Sequence, residues 1–241
     1  MTTGVRAVVI GGASGIGAAV AAGHRASGDD VVVWDLADEA DLRCDISDPA
    51  QVEDAARATV ASLGVPTTVT VSAGVGHGGL LLDAPVEDWD RVMGTNAKGA
   101  WLVMRALAAP MLAKGTTGSI VVISSVSARL VDRSMGLYCA SKAALDMVIR
   151  VAAAEWAPAV RVNGVAPGVT DTPMLGPARR AEGWLAGVAD RTAMGRLGTP
   201  EDVADAVAAV HGMRWVTGQV IPCDGGLGLE SPINPLGPRR R

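Results

Sequence analysis

Val8-Val9-Ile10-Gly11-Gly12-Ala13-Ser14-Gly15-Ile16-Gly17 joins an apolar strand to a helix through a glycine turn. Val8, Val9 and Ile10 show no polar alternation, as expected of a strand covered on both faces of a parallel sheet. The glycines then turn the chain into an Ala-rich segment, 15–27, that reads as a helix. Such a turn lets backbone approach a pyrophosphate, and the helix start offers free N–H groups and partial positive charge. Gly11, Ala13, Ser14, Gly15, Ile16 and Gly17 are therefore candidate cofactor contacts. The weaker alternative is a tight turn with no ligand.

The next apolar run, 31–34, ends at Asp35, eighteen positions after Gly17. That is close to the ~20 expected for an acid that takes the adenine ribose hydroxyls. A carboxylate there repels a 2′-phosphate. A phosphate site would want Arg or Lys in the loop or after the strand, where the chain has Ala13, Ser14 and Leu36. Both absences favour NAD over NADP. A solvated strand-end acid is the bland reading of Asp35.

Outward from this unit the chain alternates β-branched runs with Ala-rich helical stretches. Strands are predicted at 5–10, 30–34, 41–44, 67–72, 119–124, 160–165 and 219–222, and helices at 15–27, 49–63, 86–112, 136–156 and 200–211. The long helix carries a suspected break near Thr95. The alternation implies an α/β three-layer Rossmann fold: a doubly wound parallel sheet with right-handed crossovers. No linker divides residues 1–241, which read as one dinucleotide-binding domain. Only ten positions separate Asp35 from Asp45, too few for a full helix and a strand. The least regular stretch, 172–194, reads as a lid or a loosely packed excursion.

Composition narrows the class further. Of 241 residues, 49% are hydrophobic and 19% charged, with six Trp, one Tyr and no Phe, so the core must be aliphatic. The net charge of −4 and the lack of a basic stripe argue against nucleic acid. Cys44, Cys139 and Cys223 are few and unclustered, which argues against disulfides and a zinc site and fits a reducing compartment. No leader pattern or span-length apolar run is seen. A cytoplasmic protein without membrane attachment or a bound metal is expected. Arg239-Arg240-Arg241 reads as a solvated tail.

The one tyrosine, Tyr138, lies four residues before Lys142. Residues at this spacing share a helix face, and an ammonium beside a phenol favours the phenolate. The pair is a candidate proton donor and acceptor near neutral pH. Alone, it also fits an ordinary surface Tyr–Lys pair.

With these motifs in order, the chain resembles the short-chain dehydrogenase/reductase family along nearly its whole length. Gly11-x-x-x-Gly15-x-Gly17 matches the glycine motif, with Ile10 in place of the leading Thr. Asp45-Ile46 after Cys44 matches the adenine-side turn. Ser72-Ala73-Gly74 matches the end of an Asn-Asn-Ala-Gly motif, with Val71 and Ser72 replacing both asparagines. Asn96, Ser125, Tyr138 and Lys142 match the catalytic set. Pro167, Gly168, Thr170 and Thr172 match the nicotinamide side, and Asp224-Gly225-Gly226 closes the last strand.

The resemblance implies strand order 3-2-1-4-5-6-7, with the helix between strands 2 and 3 shortened. It implies that Ser125 binds the substrate oxygen, with Ser124 the weaker candidate. Tyr138 would be the general acid or base. Lys142 would bind the nicotinamide ribose and lower the Tyr138 pKa, and Asn96 would hold a water. A phenol that titrates near ~10 must move roughly 3 pH units, about 4 kcal/mol, to work at neutrality. The replacements at Ile10, Val71 and Ser72 should alter local hydrogen bonding between strands without abolishing catalysis.

The substrate cleft is expected between 126–137, the stretch after Gly74, and the lid 172–194. Leu130, Val131, Met135, Met174, Leu175, Trp184 and Leu185 suggest a mostly apolar small-molecule substrate. Arg129 and Arg133 are expected to pair with Asp132 or solvent, with a substrate carboxylate as the weaker alternative. His77 is given no role. Two helical faces, 98–113 and 143–156, are apolar almost all round and need cover. The family's four-helix subunit contact implies a homotetramer or homodimer. The tail 227–241 is left between disorder and reaching a neighbouring subunit.

The leading expectation is an NAD-dependent oxidoreductase on a secondary alcohol or ketone: a cyclic diol, hydroxysteroid or hydroxyacyl compound. The alternatives are a 3-oxoacyl-thioester (acyl carrier protein) reductase and, more remotely, a non-catalytic NAD sensor.

Overall fold

A computed structural model describes residues 4–229; most of the tail 227–241 lies outside them. Seven parallel strands form one sheet: β1 (Arg6–Ile10), β2 (Asp30–Asp35), β3 (Leu42–Arg43), β4 (Thr68–Val71), β5 (Gly118–Ile123), β6 (Val160–Pro167) and β7 (Val220–Cys223). Their order is β3-β2-β1-β4-β5-β6-β7, as expected. The helices are α1 (Gly15–Ala26), α2 (Pro49–Leu63), α3 (Val86–Met93), α4 (Ala100–Lys114), α5 (Gly136–Trp156), α6 (Trp184–Arg191) and α7 (Pro200–Gly212).

Strand side chains alternate between two cores because successive residues face opposite sides of a sheet. Val8, Val69, Ile120 and Val162 face one side, where they pack with Leu107, Met111, Leu145 and Ile149. Val9, Val33, Val121 and Val165 face the other, against Val20, Val203, Val207 and Val210. Fully burying each such side chain contributes roughly 1.5–3 kcal/mol. The core is aliphatic apart from Trp34, whose indole N–H donates to Thr59 Oγ1 at 2.9 Å. On the second face, His211 bridges two central strands: Nε2 lies 3.1 Å from Thr70 Oγ1 and Nδ1 3.0 Å from Ser119 Oγ. Burial, helped by the charges of His24 and Arg161, holds its pKa down at about 3.

The expected shortening after β2 is present: turns and bends occupy 36–41, and β3 has two residues. The suspected break near Thr95 takes another form. α3 and α4 are joined through a π-helical segment, Gly94–Gly99, that keeps helical dihedrals at both ends. The extra residue per turn there is a local bulge, a device common at functional sites. Inside the expected lid the structure adds a 3-10 segment at Pro173–Arg180 and α6.

Candidate active site

The first wall is the glycine loop. Gly11 has φ of 75°, and a Cβ on it would meet Ala73 N at 2.5 Å. A Cβ on Gly17 would lie 2.0 Å from the Gly11 carbonyl oxygen. These contacts draw the start of α1 against β1 and β4. Ser14 at the N-cap makes no side-chain cap, and the first turn holds no acid. The helix start therefore presents N–H groups and positive dipole outward, which suits a pyrophosphate. Thr172 at the lid root reaches this loop, since its Cγ2 lies 3.3 Å from a Cβ built on Gly15.

Asp35 stands beside the same loop. Its Oδ2 accepts from Ala13 N at 2.9 Å, and Oδ1 accepts from Leu36 N at 2.7 Å and Ala37 N at 3.2 Å. An ionised carboxylate has about four acceptor sites, so capacity remains for hydroxyl donors. The replacement of the leading Thr by Ile10 has a backbone remedy: the Ile10 carbonyl accepts from Ser72 N at 2.8 Å and Ala73 N at 3.1 Å.

Several expected cofactor contacts also have partners within the protein. The Ile46 side chain is buried in the core against Gly99. Asp45 Oδ1 takes the Ser47 amide and hydroxyl at 2.9 and 2.7 Å. Thr170 is buried, donates to the Gly168 carbonyl at 3.2 Å and pairs with Gly198. Pro167 ends β6 beside Cys223, and a Cβ on Gly168 would strike Asp224 at 2.9 Å, so these two close the floor between β6 and β7.

At the end of β5 the candidate proton-transfer residues come together. Ser125, Tyr138 and Lys142 are all nine-tenths or more buried. Ser125 shares a hydrogen bond with the Tyr138 hydroxyl. Lys142 Nζ lies 5.7 Å from the Tyr138 ring centroid and donates to the Ile123 carbonyl at 2.9 Å. Ser124 Oγ instead donates to Asp146 at 2.5 Å, which leaves Ser125 as the serine facing Tyr138.

One expectation needs correction. Lys142 was expected to lower the phenol; here burial dominates and raises Tyr138 above its ordinary value, while the Ser125 hydrogen bond opposes it. Burial also lowers Lys142 to about 8, against the pull of Asp146. The Asn96 side-chain amide is engaged within the protein. Its Oδ1 accepts from Val75 N at 2.8 Å, and its Nδ2 donates to Val75 O at 2.9 Å and Ser141 Oγ at 3.0 Å. With Ser141 Oγ donating to Tyr138 O at 2.8 Å, Asn96 braces the β4 loop against α5. Gly74 keeps this corner open: its Cβ would lie 3.1 Å from Asn96 Oδ1 and 3.7 Å from Lys142 Nζ.

The three expected cleft walls meet. Gly79 N donates to Ser134 O at 2.7 Å, Leu81 packs on Gly136, and lid residue Met174 packs on Gly76. His77 is buried with Nε2 3.4 Å from Asp88, and its Nδ1 has no hydrogen-bond partner among the described residues. Arg129 points away from the cleft. Its Nε lies 3.9 Å from Asp146 and its guanidinium donates to Val220 O at 3.0 Å, while Asp132 takes the Ser127 hydroxyl instead. Sequence reading missed Asp146, although its place four residues after Lys142 puts both on one helix face. Among the described residues no group of three or more His, Cys, Asp or Glu is arranged to hold a metal, and no helix is long and apolar enough to cross a membrane.

Comparison with known proteins agrees with the fold. A family model described as enoyl-(acyl carrier protein) reductase matches residues 11–228. A 2,5-dichloro-2,5-cyclohexadiene-1,4-diol dehydrogenase of Sphingobium indicum is 33% identical, with 91% of this chain and 94% of that one covered. A (3R)-3-hydroxyacyl-CoA dehydrogenase of Canis lupus familiaris is 35% identical, covering 77% of this chain and 73% of its own. Among solved structures, a gluconate 5-dehydrogenase from Burkholderia cenocepacia in complex with NADP and tartrate superposes with a TM-score of 0.90 at 27% identity, covering 95% and 96%. With the family model running from the glycine loop past the last strand, and a relative aligned over nearly its full length, the chain belongs to the short-chain dehydrogenase/reductase family.

Proposed function

We propose that this protein is an NAD-dependent oxidoreductase that interconverts a secondary alcohol and its ketone. The observation that carries the reading is the convergence of Ser125, Tyr138 and Lys142 at the end of β5, all buried, with Ser125 bonded to the Tyr138 hydroxyl and Lys142 Nζ 5.7 Å from its ring centroid. Bound NAD would supply the hydride acceptor and a positive charge beside the phenol. Ser125 would orient the substrate oxygen and, through its bond to the Tyr138 hydroxyl, favour the phenolate. Tyr138 would take the alcohol proton in oxidation and return it in reduction. Lys142 would hold the nicotinamide ribose with the donors left after Ile123. Gly11, Ala13, Ser14, Gly15, Ile16 and Gly17 would cradle the pyrophosphate, and Asp35 would take the adenine ribose. Ser72, Ala73, Gly74 and Thr172 would line the path between them.

Asp35 supports NAD over NADP, because its carboxylate borders the loop that a 2′-phosphate would approach. The diol relative supports a cyclic diol as substrate. The second reading is a hydroxyacyl or 3-oxoacyl thioester, favoured by the description of the family model and by the hydroxyacyl-CoA relative. A homodimer or homotetramer follows from Trp101, Leu112, Met147 and Val151, which lie exposed on α4 and α5. The test is turnover of cyclic diols, hydroxysteroids and acyl thioesters with NAD(H) and NADP(H), wild type beside Tyr138→Phe. The expected result is NAD-linked turnover of a diol that falls about 10²–10⁴-fold in the variant. NADP preference with thioester turnover would overturn both the cofactor and the substrate assignment.

A further inference from the structure

We propose that Asp146 is a positioning residue for the proton-transfer set, holding Lys142 charged and Ser125 in place through Ser124; this rests on the function proposed above. Asp146 is a buried carboxylate one helical turn beyond Lys142 on α5. Burying such a charge is costly unless it is paired and hydrogen-bonded. Both conditions are met here. Ser124 Oγ donates to Asp146 Oδ1 at 2.5 Å, and Arg129 Nε stands 3.9 Å from Oδ2.

The arrangement grips the end of β5 at two consecutive residues. Lys142 holds the Ile123 carbonyl and Asp146 holds the Ser124 hydroxyl, so α5 fixes both the height and the rotation of the strand end. Ser125 is the next residue, and its hydroxyl meets Tyr138. Arg129, three residues after the 3-10 turn begins at Val126, ties the same loop to Asp146 and to the β7 carbonyl of Val220.

The electrostatics run the same way. Burial pulls Lys142 down to about 8, and Asp146 is the charge that opposes it. Beside this pair, the loop after β5 contributes Arg129, 3.9 Å from Asp146, while Cys139 and Asp132 act on Tyr138 and the π segment contributes uncharged Asn96. Arg129 partly offsets Asp146.

The chain has three lysines, Lys98, Lys114 and Lys142, so the ammonium of each can be followed by NMR of lysine labelled at Cε and Nζ, without any substrate. Asp146→Asn keeps an oxygen to accept from Ser124 and removes the charge. The Lys142 midpoint is expected to fall by about one pH unit in this variant, with Lys98 and Lys114 unmoved. The alkaline limb of kcat/KM should fall with it, a loss of about tenfold on that limb. Asp146→Glu should restore part of the shift. Arg129→Met removes the outer cation and should move the Lys142 midpoint up, which decides the matter if Asp146→Asn does not fold. An unmoved Lys142 midpoint in a folded Asp146→Asn, or no upward movement in Arg129→Met, overturns the proposal while wild-type turnover leaves the enzyme reading intact. A shifted Lys142 in a protein that turns over no substrate supports the electrostatic link and overturns the reaction instead.

Discussion

The glycine-loop half of the molecule and the lid half are built on opposite terms. In the first, β1 and β4 bury every residue but their first, and Gly11 and Gly17 sit where a single added carbon would collide with backbone. In the second, α6 has no buried residue, and Met174 and Met194 are more than half exposed. The lid is fixed mainly at its ends: Thr170 pairs with Gly198, and Met194 N donates to Gly225 O at 3.0 Å. A half held by sterics and burial can recognise one invariant ligand. A half held only at its base leaves substrate choice to contacts worth little to the fold.

The sharpest way to break this contrast is Gly17→Ala. Its Cβ would enter the Gly11 carbonyl, so stability should fall by about 3 kcal/mol and nucleotide binding should be lost. Chemical denaturation and NAD titration would check both. A stable variant that binds NAD normally would mean the loop is less tightly fixed than its contacts indicate.

Acid should also find the rigid half first. The folded pKa of His211, about 3, lies below its unfolded value of about 6.5. The unfolded chain therefore binds the extra proton between these limits. The stability this residue contributes is present above about pH 6.5 and is lost as pH falls toward 3, by at most about 1.4 kcal/mol per pH unit. His211→Gln should flatten that slope in melts between pH 4 and 7.

Asp35→Ala probes the cofactor side of the same half. Losing a charge-assisted hydrogen bond to a ribose hydroxyl should weaken NAD about tenfold or more and narrow the preference over NADP. Isothermal titration with both nucleotides reads it directly. Met174→Ala tests the lid. Stability should change by no more than about 0.5 kcal/mol, while KM for the substrate moves severalfold and NAD affinity stays put. A large loss of melting temperature there would erase the contrast between the two halves.

Reading along the chain was enough for the parallel sheet and the glycine turn after its first strand, while the strand order came only through the family resemblance. The sheet and the turn rest on periodicity, glycine sterics and residue spacing, which are local properties of the chain. The sequence also brought Tyr138 and Lys142 to one helix face, because that spacing is set by the helix alone. Tertiary structure decided the rest. It turned Ile46 and Thr170 inward, because packing against Gly99 and Gly198 competes with facing a ligand. It spent Asn96 on bracing Val75 and Ser141. It separated Ser124 from Ser125 by placing Asp146 under one and Tyr138 beside the other. It made burial, rather than the neighbouring ammonium, the dominant influence on the phenol. Desolvation and counter-charge depend on which elements close over a group, and no run of residues read along one dimension carries that information.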